Sequence, residues 1–479
     1  MVLIRFSKPD FEYDVQSLVK SFYPEEEVSV VLKEGARLLI NVEYFPDSVA
    51  VKMEDAQGVT REETEADSSD RKQIKNRLKT LLYRMLREKT GTDLPWGTLS
   101  GIRPTKIPLN LYEEGRDEEF IRSYMKETYL VSDGKIQLSM EVAKKELEVL
   151  KNTDYKNGYS LYIGIPFCPS ICSYCSFSSY PIGRYESFVE PYLEALKKEI
   201  DYVAKAYKDK KINSVYIGGG TPTSLSAGQL DALLAVITAS FDLSRCPEFT
   251  VEAGRPDSIT AEKLNVIKKH GVDRISINPQ TMKQDTLDII GRNHSVLQTK
   301  EAFRLARECG FTNINMDLII GLPDETRDDV RDTMDEILLL APDCITIHSL
   351  AIKRAARMNT EKEEYKDYTN TNNEELMDLT AEYADRMGLE PYYLYRQKNM
   401  AGNMENVGYA APGKAGVYNI LMMEEKQSIA ALGAGAVSKI VYENGRIERI
   451  SNVKNVEQYI ERIEEMIQRK ANYFEAGEL

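Results

Sequence analysis

Residues 161–177 read LYIGIPFCPSICSYCSF. Five residues of strand character run into a loop that holds Cys168, Cys172 and Cys175. The strand half is the first of six short β-rich runs, at 161–165, 214–219, 248–253, 273–277, 314–320 and 343–348. Helical patterns such as YLEALKKEIDYVAKAY, AGQLDALLAVITASF and TKEAFRLARECG lie between them. Strands alternating with helix-length segments predict parallel βα units with right-handed crossovers. Six units fall short of the eight that close a barrel, so the α/β class expected is an open, partial (β/α)6 barrel of TIM type. Ligands of such sheets gather at the C-terminal ends of the strands, and the cysteine loop leaves the first strand at that end.

The cysteines are spaced Cys-x3-Cys-x2-Cys, and three thiols in so short a run ask for a metal. Structural zinc closes with four ligands, usually from two short Cys/His pairs. The three histidines, His270, His294 and His348, form no such pair. A thioredoxin-like couple would use Cys172 and Cys175 and leave Cys168 without a role. Three packed core cysteines do not suit the flanking Pro, Ser and Tyr. A 4Fe–4S cluster bound by three cysteines satisfies the count and leaves one iron open to chelate a small molecule. Cys246, Cys309 and Cys344 each stand alone and are expected to be small buried hydrophobes. A second signal follows the second strand, where the glycines of YIGGGTPT (216–223) let a ligand approach the backbone closely.

Outward from the barrel, three domains are expected: 1–155 as an N-terminal α+β domain, 156–355 as the barrel, and 356–479 as a C-terminal cap. In the first, SVVLKEGARLLINVEYFPDSVAVKM (29–53) predicts a three-strand meander, and RKQIKNRLKTLLYRMLREKTG (71–91) an amphipathic helix stopped by Gly91. In the last, GYAAPGKAG and ALGAGA are expected as loops and VEQYIERIEEMIQRK as a final helix. The 479 residues are 42% apolar and 29% charged, ordinary for a globular chain. A net charge of −14 disfavours nucleic acid as a partner, so an RNA-modifying role is set aside. No stretch approaches the roughly 18–20 apolar residues of a membrane span, and the start lacks a signal peptide pattern. A cytoplasmic location is therefore expected.

Cys-x3-Cys-x2-Cys after the first strand of a partial barrel, followed by YIGGGTPT, resembles the radical S-adenosylmethionine (SAM) enzymes. GVDRISINPQTMKQDTLDIIGRNHS (271–295) and INMDLIIGLPDET (314–326) are similar to the oxygen-independent coproporphyrinogen III oxidase-like (HemN-like) family. WGTLSGIRPTK (96–106) and YRQKNMAGNMENVGY (395–409) look like its longer HemZ branch. The resemblance implies a 4Fe–4S cluster on Cys168, Cys172 and Cys175 and S-adenosyl-L-methionine as second cofactor. It implies SAM contacts from Tyr162, Tyr174, Gly219, Gly220, Thr221, Glu252, Gln280, Arg292, Asp317 and Ala351. The activity implied is reductive cleavage of SAM to a 5′-deoxyadenosyl radical that takes hydrogen from a substrate of porphyrin or haem metabolism. In the oxidase, propionates of coproporphyrinogen III are decarboxylated to give protoporphyrinogen IX. A low-potential electron donor of the flavodoxin or ferredoxin class is implied as partner.

Three departures bear on the substrate. Close relatives carry histidine where this chain has Gly164, and the oxidase carries a further cysteine where it has Phe177. The haem-chaperone branch carries a His and an Arg where it has Tyr418 and Ile420. A haem chaperone or insertase, and a radical SAM methyltransferase acting on haem, therefore stand as alternatives. A substrate with four carboxylates needs local cations in an acidic protein. Lys353, Arg354 and Arg357, Arg396 and Lys398, and Arg103 and Lys106 are three candidate groups, at least one of which is expected to line the barrel mouth.

Overall fold

The computed structural model describes residues 1–31, 35–67, 69–397 and 401–474; Lys398, one of the expected cations, lies outside them. Two compact units divide the chain: Met1–Ala143 with Arg396–Asn399, and Lys144–Tyr395 with Met400–Leu479.

The first unit is built on a five-stranded sheet of order β2-β1-β3-β4-β5. Its strands are β1 (Val2–Phe6), β2 (Val28–Ser29), β3 (Leu38–Tyr44), β4 (Ser48–Asp55) and β5 (Gly58–Glu65). The meander lies one strand later than expected. Val28–Ser29 pairs parallel with β1, and the antiparallel run is β3–β4–β5. β5, GVTREETE, lacks the alternation that marks a half-buried strand, because it is an exposed edge held mainly by its backbone ladder. Helices Glu12–Phe22 and Arg71–Thr90 bring Val15, Leu18, Leu78 and Leu82 into one core with Ile4, Ile40 and Val51. The Asp70 carboxylate accepts from the N–H groups of Lys72 and Gln73 and starts the second helix. Gly91, at φ 67°, ends it as expected, its N–H donating to the Arg87 carbonyl.

The second unit carries an eleven-stranded sheet. Six parallel strands lie side by side in chain order: β6 (Gly158–Ile165), β7 (Lys211–Gly219), β8 (Phe249–Glu252), β9 (Arg274–Ser276), β10 (Ile314–Ile320) and β11 (Cys344–Ser349). This is the open six-unit barrel. The helices after β7, β9 and β10 begin with capping boxes, Ser226 with Gln229, Ser295 with Gln298 and Thr326 with Asp329. Each box satisfies exposed N–H groups at a helix start and fixes the length of the loop before it.

C-terminal strands extend both edges of this sheet. β12 (Glu390–Tyr395) pairs antiparallel with β13 (Asn406–Ala410), which pairs antiparallel with β11. On the far side β14 (Ser428–Leu432) runs parallel to β6, followed by the hairpin β15 (Val437–Val441) and β16 (Ile447–Ser451). Gly408–Ala410, expected in a loop, thus belongs to an edge-covering strand. The final helix is also not continuous: Arg462 leaves helical geometry between Val456–Glu461 and Ile463–Phe474. The second piece carries Lys470 into a fully buried ion pair of 2.6 Å with Glu199, completed by Asn452 and the Tyr459 hydroxyl. Among the described residues no helix is long and apolar enough to cross a membrane.

Candidate active site

The cysteine loop leaves β6 and is closed at its base. Phe167–Cys168 pairs with Tyr180–Pro181, and the Tyr180 N–H donates to the Pro166 carbonyl. Inside the loop the Cys175 N–H turns back onto the Cys172 carbonyl at 3.1 Å. Outer contacts hold it in place: Ser173 N–H to Ile290 O at 3.0 Å, and Met358 N–H to Ser173 O at 2.9 Å. Arg255, buried after β8, is gripped by both oxygens of Asp257 and donates to Ser170 O and Ser170 Oγ. Its Nη1 lies 3.7 Å from Cys172 Sγ. Sequence reasoning missed Arg255, because nothing in the local stretch GRPD announces a partner 83 residues away.

The glycine motif braces the first cysteine. Gly220 N–H donates to Ile165 O and Thr221 N–H to Phe167 O, both at 2.7 Å, while Thr221 Oγ1 reaches Cys168 Sγ at 3.5 Å. A Cβ at Gly220 would stand 2.9 Å from that sulfur and 2.7 Å from Phe167 O, so only glycine fits the cradle. Gly219, at φ 109°, adopts a backbone that side chains rarely take.

The three thiols sit within electrostatic reach of one another. Burial pushes Cys168 upward and Cys175 up to about 11, and each is raised further by its neighbours. Among the described residues no three His, Cys, Asp or Glu groups close on a point as a single ion needs. Three cysteines from one short loop, with Arg255 beside Cys172 to offset negative charge, are a donor set that suits an iron–sulfur cluster.

Deeper in the barrel, Tyr162 and Tyr216 stack at 6.3 Å, and the Tyr216 hydroxyl donates to Glu252 Oε1 at 2.6 Å. Burial raises the Glu252 carboxyl to about 7, with the Asp317 charge adding to the rise. Asp317 accepts from Asn315 Nδ2 at 2.7 Å, and His348 Nε2 lies 3.8 Å from its other oxygen. Burial works to raise Asp317, yet His348, Asn315 and Thr346 hold it below the usual carboxylate value. Asp317 and His348 keep 22% and 27% of their side-chain surface accessible, so the pair is not sealed in a core. His348 was read from sequence only as one of three unpaired histidines; its partner comes from the neighbouring strand.

Gln280 adopts φ 70°, uncommon for a residue with a side chain. Its backbone is held in a ladder by Asp317 O and the Ile319 N–H, and its buried side-chain Oε1 has no partner among the described residues. Arg292 is buried and donates to Gly254 O, Asn278 O and the Tyr174 hydroxyl. Tyr174 packs with Leu287, Ile290 and Met358. Ala351 follows β11 and is half-buried. Tyr174, Gly219, Gly220, Thr221, Glu252, Gln280, Arg292 and Ala351 thus lie at or beyond C-terminal strand ends, whereas Tyr162 and Asp317 sit mid-strand. An orphaned, strained glutamine and a glycine cradle are features that a polar ligand satisfies.

The expected cation groups separate. Lys353 and Arg354 are exposed just past β11, and Lys353 Nζ lies 5.8 Å from the ring centre of Phe177. Arg357 is engaged with Glu361 and Glu364. Arg396 belongs to the N-terminal unit, where it lies over Trp96 and donates to Leu99 O. Arg103 and Lys106 belong to that unit as well. Tyr418 is only 8% exposed: it stacks on Tyr216 at 4.6 Å, and its N–H donates to Glu248 Oε2. Ile420 is fully buried beside it in the same helix.

Comparison with known proteins agrees with this geometry. Residues 162–337 match the radical SAM superfamily. The chain is 39% identical over 478 residues to the oxygen-independent coproporphyrinogen-III oxidase-like protein HemZ of Bacillus subtilis, covering 96% of this chain and 95% of that one. It is 42% identical over 199 residues to the heme chaperone HemW of the same organism, covering 40% of this chain and 51% of that one. Among solved structures, the coproporphyrinogen III oxidase HemN of Escherichia coli superposes with a TM-score of 0.52 at 21% identity, over 67% of this chain and 72% of that one, a likeness of fold.

Proposed function

From the premise that the chain belongs to the radical SAM superfamily, and within it to the oxygen-independent coproporphyrinogen III oxidase-like family of HemZ type, we propose that it oxidatively decarboxylates a propionate-bearing porphyrinogen, coproporphyrinogen III in the first instance. One observation carries the reading: the cysteine loop, the glycine cradle and the unsatisfied Gln280 oxygen meet at one end of the barrel. Cys168, Cys172 and Cys175 would hold a 4Fe–4S cluster, and the set from Tyr162 to Ala351 would hold SAM. Bound there, the two groups supply a carbon-centred radical able to take a hydrogen atom from an unactivated carbon.

The chain's own residues bind and orient. Gly219, Gly220 and Thr221 would hold the amino-acid end of SAM, and the Glu252 and Asp317 carboxylates would accept hydrogen bonds from its hydroxyls. Gln280 and Arg292 would complete the set. Thr221 and Arg255 steady the loop sulfurs, and the surrounding apolar packing excludes water. Each propionate that becomes a vinyl group loses one hydrogen atom, one CO2 and one electron, the last to a one-electron acceptor. A flavodoxin- or ferredoxin-class protein is the proposed source of reducing electrons.

Burial of Tyr418 speaks against the chaperone alternative. A tyrosine ligand must reach an iron at the centre of a large flat ring, and this side chain is 8% exposed and packed against Tyr216 and Tyr162. The test is anaerobic reconstitution followed by incubation with SAM, a reductant and coproporphyrinogen III. Mass spectrometry should show loss of two CO2. Formation of 5′-deoxyadenosine without that loss removes the decarboxylase assignment and leaves the radical chemistry standing.

A further inference from the structure

We propose that Phe177, Lys353 and Arg354 form a recognition lip for a carboxylated tetrapyrrole, the ring lying on the phenyl face and peripheral carboxylates pairing with the two cations. The inference rests on the tetrapyrrole reading above and adds the residues that select for it.

Phe177 is 70% exposed and sits two residues past Cys175. Single exposed apolar side chains are ordinary on protein surfaces, so exposure alone carries nothing. Three further observations give it meaning. The first is its neighbour: Lys353 Nζ stands 5.8 Å from the ring centre. That approach is held by the hydrogen bond from Met358 N–H to Ser173 O and by packing of Ile352 and Met358 with Tyr174, Leu287 and Ile290. The segment after β11 is therefore tied to the cysteine loop.

The second observation is charge. The chain carries −14 overall, and Arg357, a few residues on, is engaged by Glu361 and Glu364. Lys353 and Arg354 are exposed, and neither makes an ion pair among the described residues. The third is position: both segments leave C-terminal strand ends, the same end as the thiols, Gln280 and Arg292. An aromatic face flanked by two cations with no carboxylate partner among the described residues complements a ligand that is itself apolar and ringed with carboxylates. An acidic redox protein would use the cations and leave the phenyl without a purpose.

The test titrates the anaerobically reconstituted full-length protein with coproporphyrin III, the stable fluorescent oxidised form, and follows quenching. Iron content of each variant checks that the loop still folds. The double variant Lys353→Glu, Arg354→Glu should weaken binding about tenfold or more. Phe177→Ala should weaken it about threefold or more, and Phe177→Trp should restore it. Unchanged affinity in the double variant overturns the lip and leaves the tetrapyrrole reading intact. Unchanged affinity with loss of reduction by flavodoxin also overturns it and makes the surface a donor dock. Failure of the unaltered protein to bind coproporphyrin III overturns both readings.

Discussion

Both ends of the barrel set a cysteine sulfur against a buried arginine, and the two ends are finished differently. At the N-terminal strand ends, Arg274 donates to Cys344 Sγ at 3.1 Å, Lys414 O at 2.8 Å and Asn313 Oδ1 at 3.2 Å, with the Tyr392 hydroxyl at 3.5 Å. Glu248 lies close by and caps the helix that carries Tyr418. At the C-terminal ends, Arg255 reaches Cys172 Sγ at 3.7 Å. There, among the described residues, Gln280 Oε1 and both ring nitrogens of His294 have no hydrogen-bond partner. Arg274 is locked into side-chain and carbonyl contacts at one end, while Arg255 stands among unpartnered polar groups at the other. Complete satisfaction of buried polar groups marks structure; incomplete satisfaction in a strained backbone marks a place kept for a ligand.

The sharpest way to break this contrast is to remove sulfurs from each end. Alanine at Cys168, Cys172 or Cys175 should abolish iron binding and lower 5′-deoxyadenosine formation by about a thousandfold or more. Cys344→Ala should keep the iron, read by absorbance and iron assay. Arginine substitutions come next. Arg274→Met strips Glu248 of its cation and should cost about 3–5 kcal/mol in urea unfolding. Arg255→Met should cost less than half of that, while iron retained through gel filtration falls.

Gln280→Gly separates strain from function. Glycine accepts φ 70° freely, so stability should rise by roughly 0.5–1 kcal/mol. Loss of the unsatisfied amide should weaken SAM binding by about tenfold, measured by equilibrium dialysis on reconstituted protein. A gain in stability with unaltered SAM affinity would make Gln280 a structural oddity.

A buried carboxyl sharpens the contrast through pH. Glu325 accepts from Thr281 Oγ1, and burial raises it from an ordinary 4.5 to about 7. Its folded form holds a proton that the unfolded chain has released, so its contribution is full below about 4.5 and is lost as pH rises to about 7. Glu325→Gln should remove about 1–3 kcal/mol of that slope, seen as flatter unfolding midpoints between those pH values. Glu252, also raised to about 7, acts in the same direction.

The smallest effect is expected at His348. His348→Ala should weaken SAM binding about two- to fivefold, and the loss should vanish in an Asp317→Asn background. Additive losses would mean that the 3.8 Å approach does not couple the two side chains.

Much of this was legible along the chain, because it depends on local pattern. The six strands, the helix stops and the cysteine loop follow from period, capping chemistry and spacing. β5 was not, since an exposed edge strand carries no hydrophobic alternation. At the C-terminal side, Gly408–Ala410 and Ala431–Leu432 are strand where loops were expected, and the places of these strands at opposite edges of the barrel sheet were not legible. Pairing across hundreds of residues leaves no local trace. Arg255, His348 and Arg274 escaped for the same reason: each acquires its meaning from partners on other strands.

The sequence by itself determined the parallel six-unit plan, the end at which ligands gather and the three sulfurs offered there, since strand length, helix caps and cysteine spacing are properties of neighbours along the chain. Only the tertiary structure decided which polar groups at that end lack partners, that Tyr418 is buried, and that Phe177 meets Lys353 beside the cysteines. These depend on distances between distant segments, which burial and packing set.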